Sequence, residues 1–153
     1  MSISPLQPRP VFDSNPKVAK SAINLSNLII AIEKKKIPDP QTHAINEMIA
    51  GVNDFKGPDQ ELKKSIDTAR SAILKLLEKD LKIVPPAYYQ TLWMSIGMAA
   101  FGLPLGVAFG AAIGNMAFLG IGIPIGMSIG LALGAGMDSK AKNEGRQLDY
   151  KAI

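Results

Sequence analysis

Between residues 18 and 32 the apolar positions Val18, Ala22, Leu25, Ile29 and Ile32 recur at alternating spacings of four and three, which places them on one face of a helix. A second run, Ile45, Met48, Ile49, Val52 and Phe55, repeats the pattern with Gly51 in its middle and Gly57 after its end. The third and longest, Leu62, Ile66, Ala69, Ile73, Leu76 or Leu77, and Leu81, predicts a helix from Pro58 to about Val84, where Pro85-Pro86 stops it. Each stretch starts alike. Asn15-Pro16, Asp39-Pro40 and Gly57-Pro58 set a capping residue before a proline, whose missing N–H costs nothing in a first helical turn. The first helix is expected to end at Glu33-Lys34-Lys35-Lys36, where lysines complement the negative end of the helix dipole. Short connections make neighbouring helices antiparallel, so residues 14–86 predict a small soluble three-helix bundle.

The pattern then changes. No charged side chain occurs between Lys82 and Asp138. A helix needs about 20 apolar residues to cross about 30 Å of hydrocarbon, so this stretch suits two crossings. The expected spans are Leu92–Gly114 and Ala117–Met137, within a hairpin over residues 87–137 and with a break near Gly114-Asn115. Tyr88, Tyr89 and Trp93 precede the first span, as rings do at the headgroup level. Lys75, Lys79 and Lys82 lie before the first span, and Lys140, Lys142 and Arg146 after the second, whereas the turn has no basic residue. That asymmetry predicts both termini on the cytoplasmic side, with Lys82, Lys140 and Lys142 at the membrane interface. Residues 138–153 are expected to extend the second span's helix and fray into a charged tail, and residues 1–13, with prolines 5, 8 and 10, to be a disordered lead. No apolar run of signal-peptide length occurs near the N-terminus, so no cleaved signal is expected.

Within the uncharged stretch one pattern occurs twice. GLPLGVAFGAAIGNM starts at Gly102 and GIPIGMSIGLALGAGM at Gly122. Gly102, Gly106, Gly110 and Gly114 answer to Gly122, Gly126, Gly130 and Gly134, with Pro104 answering to Pro124. In lipid, helices associate by close van der Waals contact, and a column of glycines lets two backbones approach. Leu105, Phe109 and Ile113, with Ile125, Ile129 and Leu133, would form bulky rims beside the glycines. The two grooves face each other inside one hairpin or face neighbouring chains; the pattern allows both. Pro104 should kink its helix near Ala100, while Pro124 lies close to the start of its own. The repeat resembles the glycine-zipper class of membrane proteins, over Gly102 to Gly136. That resemblance implies close helix packing and oligomerisation through these eight glycines. Its members include channels, pore-forming toxins, outer-envelope lipoproteins and plain anchors, and the absence of cysteine excludes the lipoprotein variety here.

Composition removes several chemistries. With no cysteine and one histidine, His43, a disulfide framework, a thiolate nucleophile and a multi-histidine metal centre are all out of reach of one chain. The net charge of +4 is mild and scattered over 153 residues, so no nucleic-acid partner is expected. No glycine-rich stretch is followed by the lysine and hydroxyl of a phosphate loop. No acid, base or nucleophile pair converges, and neither span holds a carboxylate or histidine for a proton relay, so neither an enzyme nor an ion-coupled transporter is expected. No cofactor or metal is expected either. The expectation is an all-α integral membrane protein with a small N-terminal bundle followed by a two-helix glycine-zipper hairpin. The bilayer and further copies of the chain would be its partners, and a protein would bind the bundle. The alternative, from another class, is a pore-forming or membrane-disrupting effector assembled from several hairpins.

Overall fold

All regular structure in the computed structural model, which describes residues 2–115, 119–150 and 152–153, is helical. The chain divides into two units, Met1–Pro85 with Leu148–Ile153, and Pro86–Gln147. No strand occurs among the described residues.

The first unit is built from α1 (Val11–Ser14), α2 (Pro16–Glu33), α3 (Asp39–Asn53) and α4 (Asp59–Leu76), the last extended by a π turn over Leu77–Leu81. The apolar stripes form one core: Leu25, Leu28 and Ile32 of α2 meet Ile45 and Ile49 of α3 and Ile66, Ile73 and Leu77 of α4 and its π turn. Helix starts differ from expectation by a residue. Asn15 does cap α2, its side chain accepting the Lys17 N–H at 3.2 Å. At α3 and α4, however, Pro38 and Pro58 are the capping residues and the acids Asp39 and Asp59 begin the helix, where a carboxylate meets the positive end of the dipole. The lysines after Glu33 fall at and beyond the end of α2 rather than in its last turn, and Lys34 pairs with Asp149 at 3.3 Å. His43 is exposed on α3, 3.7 Å from Glu47 one turn on. On α4, partial burial pushes the Asp67 carboxyl up, but hydrogen bonds from Lys63 and Ser21 and the charges of Lys63 and Arg70 outweigh it and hold Asp67 below the usual carboxylate range.

The N-terminal segment departs from the expected disorder, and the C-terminal one from the expected fraying. Residues 2–9 run extended beside α3, where Asn46 accepts from the Ser4 N–H at 2.7 Å and donates to Ser2 O at 3.1 Å. Asn53 does the same with Gln7 N at 3.0 Å and Pro5 O at 3.2 Å. The two asparagines are two helical turns apart, roughly 10 Å, which three extended residues also span. Arg9 then donates to the carbonyls of Val52, Asn53 and Phe55 and so satisfies the C-terminal end of α3. Ile3 is buried in the core.

At the other end, Leu148 and Tyr150 are buried in that same core, 1% and 6% exposed. Leu148 N–H donates to Val84 O at 2.9 Å. Arg70 donates to the Tyr150 hydroxyl at 3.2 Å, and the buried Asn24 accepts the Ile153 N–H at 2.8 Å. The charged run continues a helix as far as Asn143, and the chain then closes this unit instead of fraying. The unit is therefore made from both sides of the apolar stretch.

The second unit holds α5 (Tyr88–Gly97), a π turn over Met98–Gly102, α6 (Leu103–Ile113) and α7 (Leu119–Asn143). The first three run on as one helix, Tyr88–Ile113, of 26 residues. The expected break is present, with α6 ending at Ile113 and Gly114 turning left-handed at φ 72°. The expected start of the second span at Ala117 lies outside the described residues.

Candidate functional site: a glycine-faced helical hairpin

Two helices here, Tyr88–Ile113 and Gly120–Asn143, are long and apolar enough to cross a membrane. At about 1.5 Å per residue each exceeds the roughly 30 Å hydrocarbon layer, with room for tilt or for interfacial turns.

They pack through glycine. A Cβ built on Gly126 would lie 2.6 Å from the Cα of Gly102, and one on Gly122 would lie 2.6 Å from the Cα of Gly106. Gly97 meets the Gly130 Cα at 2.9 Å, and Gly102 meets the Ile123 Cα at 3.1 Å. Towards the open end, Gly130 would meet the carbonyl carbon of Trp93 at 2.7 Å and Gly134 the Cα of Gln90 at 2.5 Å. Ordinary van der Waals contact begins near 3.4 Å, so at each place the opposing group occupies the room a side chain would need. Where these contacts meet backbone on both sides, only the absence of a Cβ allows the approach. The duplicated grooves thus face one another within one chain.

One expected member of the ladder is elsewhere and one is new. Gly114 is exposed, with nothing within 4 Å of an added Cβ, and serves the turn through its positive φ. Its place on the packed face is taken by Gly97, so that the buried glycines of the first helix are Gly97, Gly102, Gly106 and Gly110. Gly102 comes five positions after Gly97, a spacing that in a regular helix would swing Gly97 off the face. The π turn over Met98–Gly102 absorbs the extra residue. It contains Ala100, the residue whose carbonyl Pro104 can neither bond nor approach. The signal was in the sequence as a proline two positions after the first repeat glycine. In α7, Pro124 sits within the first turns and Ser128 donates to its carbonyl at 2.8 Å.

The bulky side chains point the other way. Phe101, Leu103, Val107, Phe109 and Ile113 on the first helix, and Ile121, Ile123, Ile125, Ile129 and Leu133 on the second, are exposed. Of the expected rim residues only Leu105 is half-buried.

The open end is closed by a carboxylate. Asp138, 6% exposed on α7, accepts the backbone N–H groups of Tyr89 at 3.1 Å and Gln90 at 3.0 Å. These belong to the first turn of α5, whose own capping position, Ala87, is left-handed and offers no side chain. A negative charge on unpaired N–H groups at a helix start is favourable through both hydrogen bonding and the dipole. Sequence reasoning missed Asp138 because a cap is sought next to its own helix. Its one signal was to be the first charge after a long apolar run. Around it lie the residues expected at an interface. Tyr88 and Tyr89 pack edge to face with centroids 5.2 Å apart, Trp93 is half-buried one turn on, and Lys140 and Lys142 are exposed in the last turn of α7. Lys82 belongs to the first unit, exposed and left-handed at φ 55° after its π turn.

No group of acidic, histidine or cysteine side chains that could hold a metal occurs among the described residues. The chain matches no protein-family model, no curated protein and no solved structure.

Proposed function

We propose that this chain is a small integral membrane protein of the glycine-zipper kind, whose hairpin crosses the bilayer twice and whose helical unit makes contacts on the cytoplasmic side, including with further copies of itself. One observation carries this reading: the hairpin is turned inside out, with glycines inward and isoleucine, leucine, valine and phenylalanine outward. Water-soluble monomers rarely expose contiguous apolar patches beyond a few hundred Å2, because each Å2 left wet forgoes about 25 cal/mol. Lipid tails impose no such cost, and in lipid the close backbone contact at the glycines is itself the force that holds helices together.

Topology follows from charge and connectivity. Lys140, Lys142 and Arg146 cluster after the second helix, and the turn carries no basic residue, which favours the open end in the cytoplasm. The first unit needs residues from before and after the hairpin, so a chain crossing the membrane once would leave the seats of Leu148 and Tyr150 empty. A two-span hairpin returns both segments to one side.

The pore-forming alternative gains nothing from the outer faces. The hydroxyls of Ser95 and Ser128 there are engaged by the carbonyls of Thr91 at 3.2 Å and Pro124 at 2.8 Å, and no charge interrupts the aliphatic surface. Carbonate extraction of membranes from expressing cells tests the proposal: the full chain should stay in the pellet at alkaline pH. Quantitative release into the supernatant would overturn it.

A further inference from the structure

A glycine column that repeats every four residues does not fix its own register. An α-helix maps onto itself when screwed along its axis by whole residues, so moving α7 by four residues, about 6 Å, seats each residue where another now sits. At present Gly122, Gly126, Gly130 and Gly134 meet in turn the backbone at Gly106, Gly102, Trp93 and Gln90. Shifted towards the turn, Gly126 takes the Gly122 seat, Gly130 the Gly126 seat and Gly134 the Gly130 seat. Glycine replaces glycine at all three, and Gly122 itself moves up beside Gly110, which is also buried. The outward positions do not tell the two registers apart either. Ile121, Ile125, Ile129, Leu133 and Met137 recur with the same step, so one apolar side chain replaces another. Nor is the connection stretched. With Gly122 beside Gly106, the start of α7 at Leu119 lies about one turn short of the end of α6 at Ile113, and the shift would bring the two level.

The obstacle is Asp138. It stands four residues after Gly134 on the same buried face, as the next position of the column, and it carries a side chain. The shift would put it into the Gly134 seat. A Cβ there lies 2.5 Å from the Gln90 Cα and 2.5 Å from the Tyr89 carbonyl oxygen, backbone atoms that have nowhere to go. The carboxylate would also leave the Tyr89 and Gln90 N–H groups, which it now accepts at 3.1 and 3.0 Å, and a buried carboxylate without donors is strongly unfavourable. The reverse shift is barred at the other end of the column. By sequence it would carry Phe118 into the Gly122 seat, where a Cβ lies 2.6 Å from the Gly106 Cα.

We infer that Asp138 is the register stop of the hairpin. Its Cβ bars a slide of α7 towards the turn, and its carboxylate is satisfied in one register alone, on the first-turn N–H groups of α5. The stop depends on the packing of two helices in one chain and not on what surrounds them, so its test is independent of membrane insertion.

The chain has no cysteine, so pairs of nitroxide-labelled cysteines report the register without background. Two pairs at exposed positions respond in opposite senses: Leu92→Cys with Ile121→Cys, and Phe109→Cys with Met137→Cys. In the purified full-length chain, double electron–electron resonance should give one distance for each pair while Asp138 is present. Asp138→Gly removes the Cβ and lengthens the glycine column. It should add a second population, about 6 Å longer for the first pair and about 6 Å shorter for the second. Asp138→Ala loses the carboxylate but keeps the Cβ, and should retain the parental distances at both pairs. Helix content by circular dichroism should be the same in all three. Parental distances alone in Asp138→Gly would overturn the inference, as would a second population in Asp138→Ala as large as that in Asp138→Gly. Lengthening at both pairs would mean that the helices separate rather than slide, and would overturn it as well.

Discussion

At Gly126 the backbone of one helix sits where a side chain of the other would begin, and that single contact explains why the residue type is fixed. Replacing it by leucine puts atoms against the Gly102 backbone, 2.6 Å from its Cα, where nothing flexible can yield. Gly126→Leu should therefore destabilise the hairpin by about 2 kcal/mol or more in a detergent or urea unfolding series, as overpacking does. Gly136, also in α7, has open space at its Cβ. Gly136→Leu should lie within about 0.5 kcal/mol of the parent or be more stable, because glycine is a poor helix former. Equal losses at the two positions would remove the argument that the face, and not the composition, matters. Asp138 makes a similar residue-level claim. Asp138→Ala should cost about 1 kcal/mol, the typical worth of a helix cap, and should accelerate amide exchange at Tyr89 and Gln90 before any other amide of α5. Uniform acceleration along the helix would instead mean that Asp138 supports the hairpin as a whole.

Among the elements, those with periodic apolar stripes were legible in the sequence, and those held by polar side chains were not. Val18 to Ile32 and Leu62 to Leu81 advertise α2 and α4 with its π turn because burial of one face repeats every turn. The glycine columns and bulky rims of the hairpin were readable as a period of four, but not that the two grooves face each other, nor that Gly114 serves the turn and not the packed face. Gly97 was hidden because a π turn changes the period, and Asp138 because it caps a helix 48 or more residues away in sequence. The terminal segments were hidden for a third reason. They are held by Asn24, Asn46 and Asn53, and an asparagine on a helix carries no pattern that says whether it faces water or clasps a neighbouring segment. One consequence can be measured on the C-terminal clasp. Leu148 is 1% exposed, so Leu148→Ala should destabilise the first unit by about 2–5 kcal/mol in thermal or chemical unfolding. Asp149→Ala, whose side chain is 87% exposed, should change little. If both substitutions were neutral, residues 148–153 would be a tail after all.

At the scale of the whole molecule, the chain makes one compact helical unit from both sides of an insertion that has opposite chemistry. The inserted hairpin buries its glycines and presents its largest apolar residues, and the first unit does the reverse, with Leu25, Leu28, Ile45, Ile66 and Leu77 inside. Under the proposed function, one sequence meets two solvents. The central claim is that the second solvent is lipid, and it is tested most directly by a nitroxide attached to a single cysteine at Phe109 or at Ile129 in the reconstituted full-length chain. Collisions with oxygen, which concentrates in hydrocarbon, should dominate those with a water-soluble nickel chelate at both positions, whereas a nitroxide at Lys142 should show the reverse. Ready access of the nickel chelate to positions 109 and 129, with the protein folded and vesicle-associated, would contradict the account.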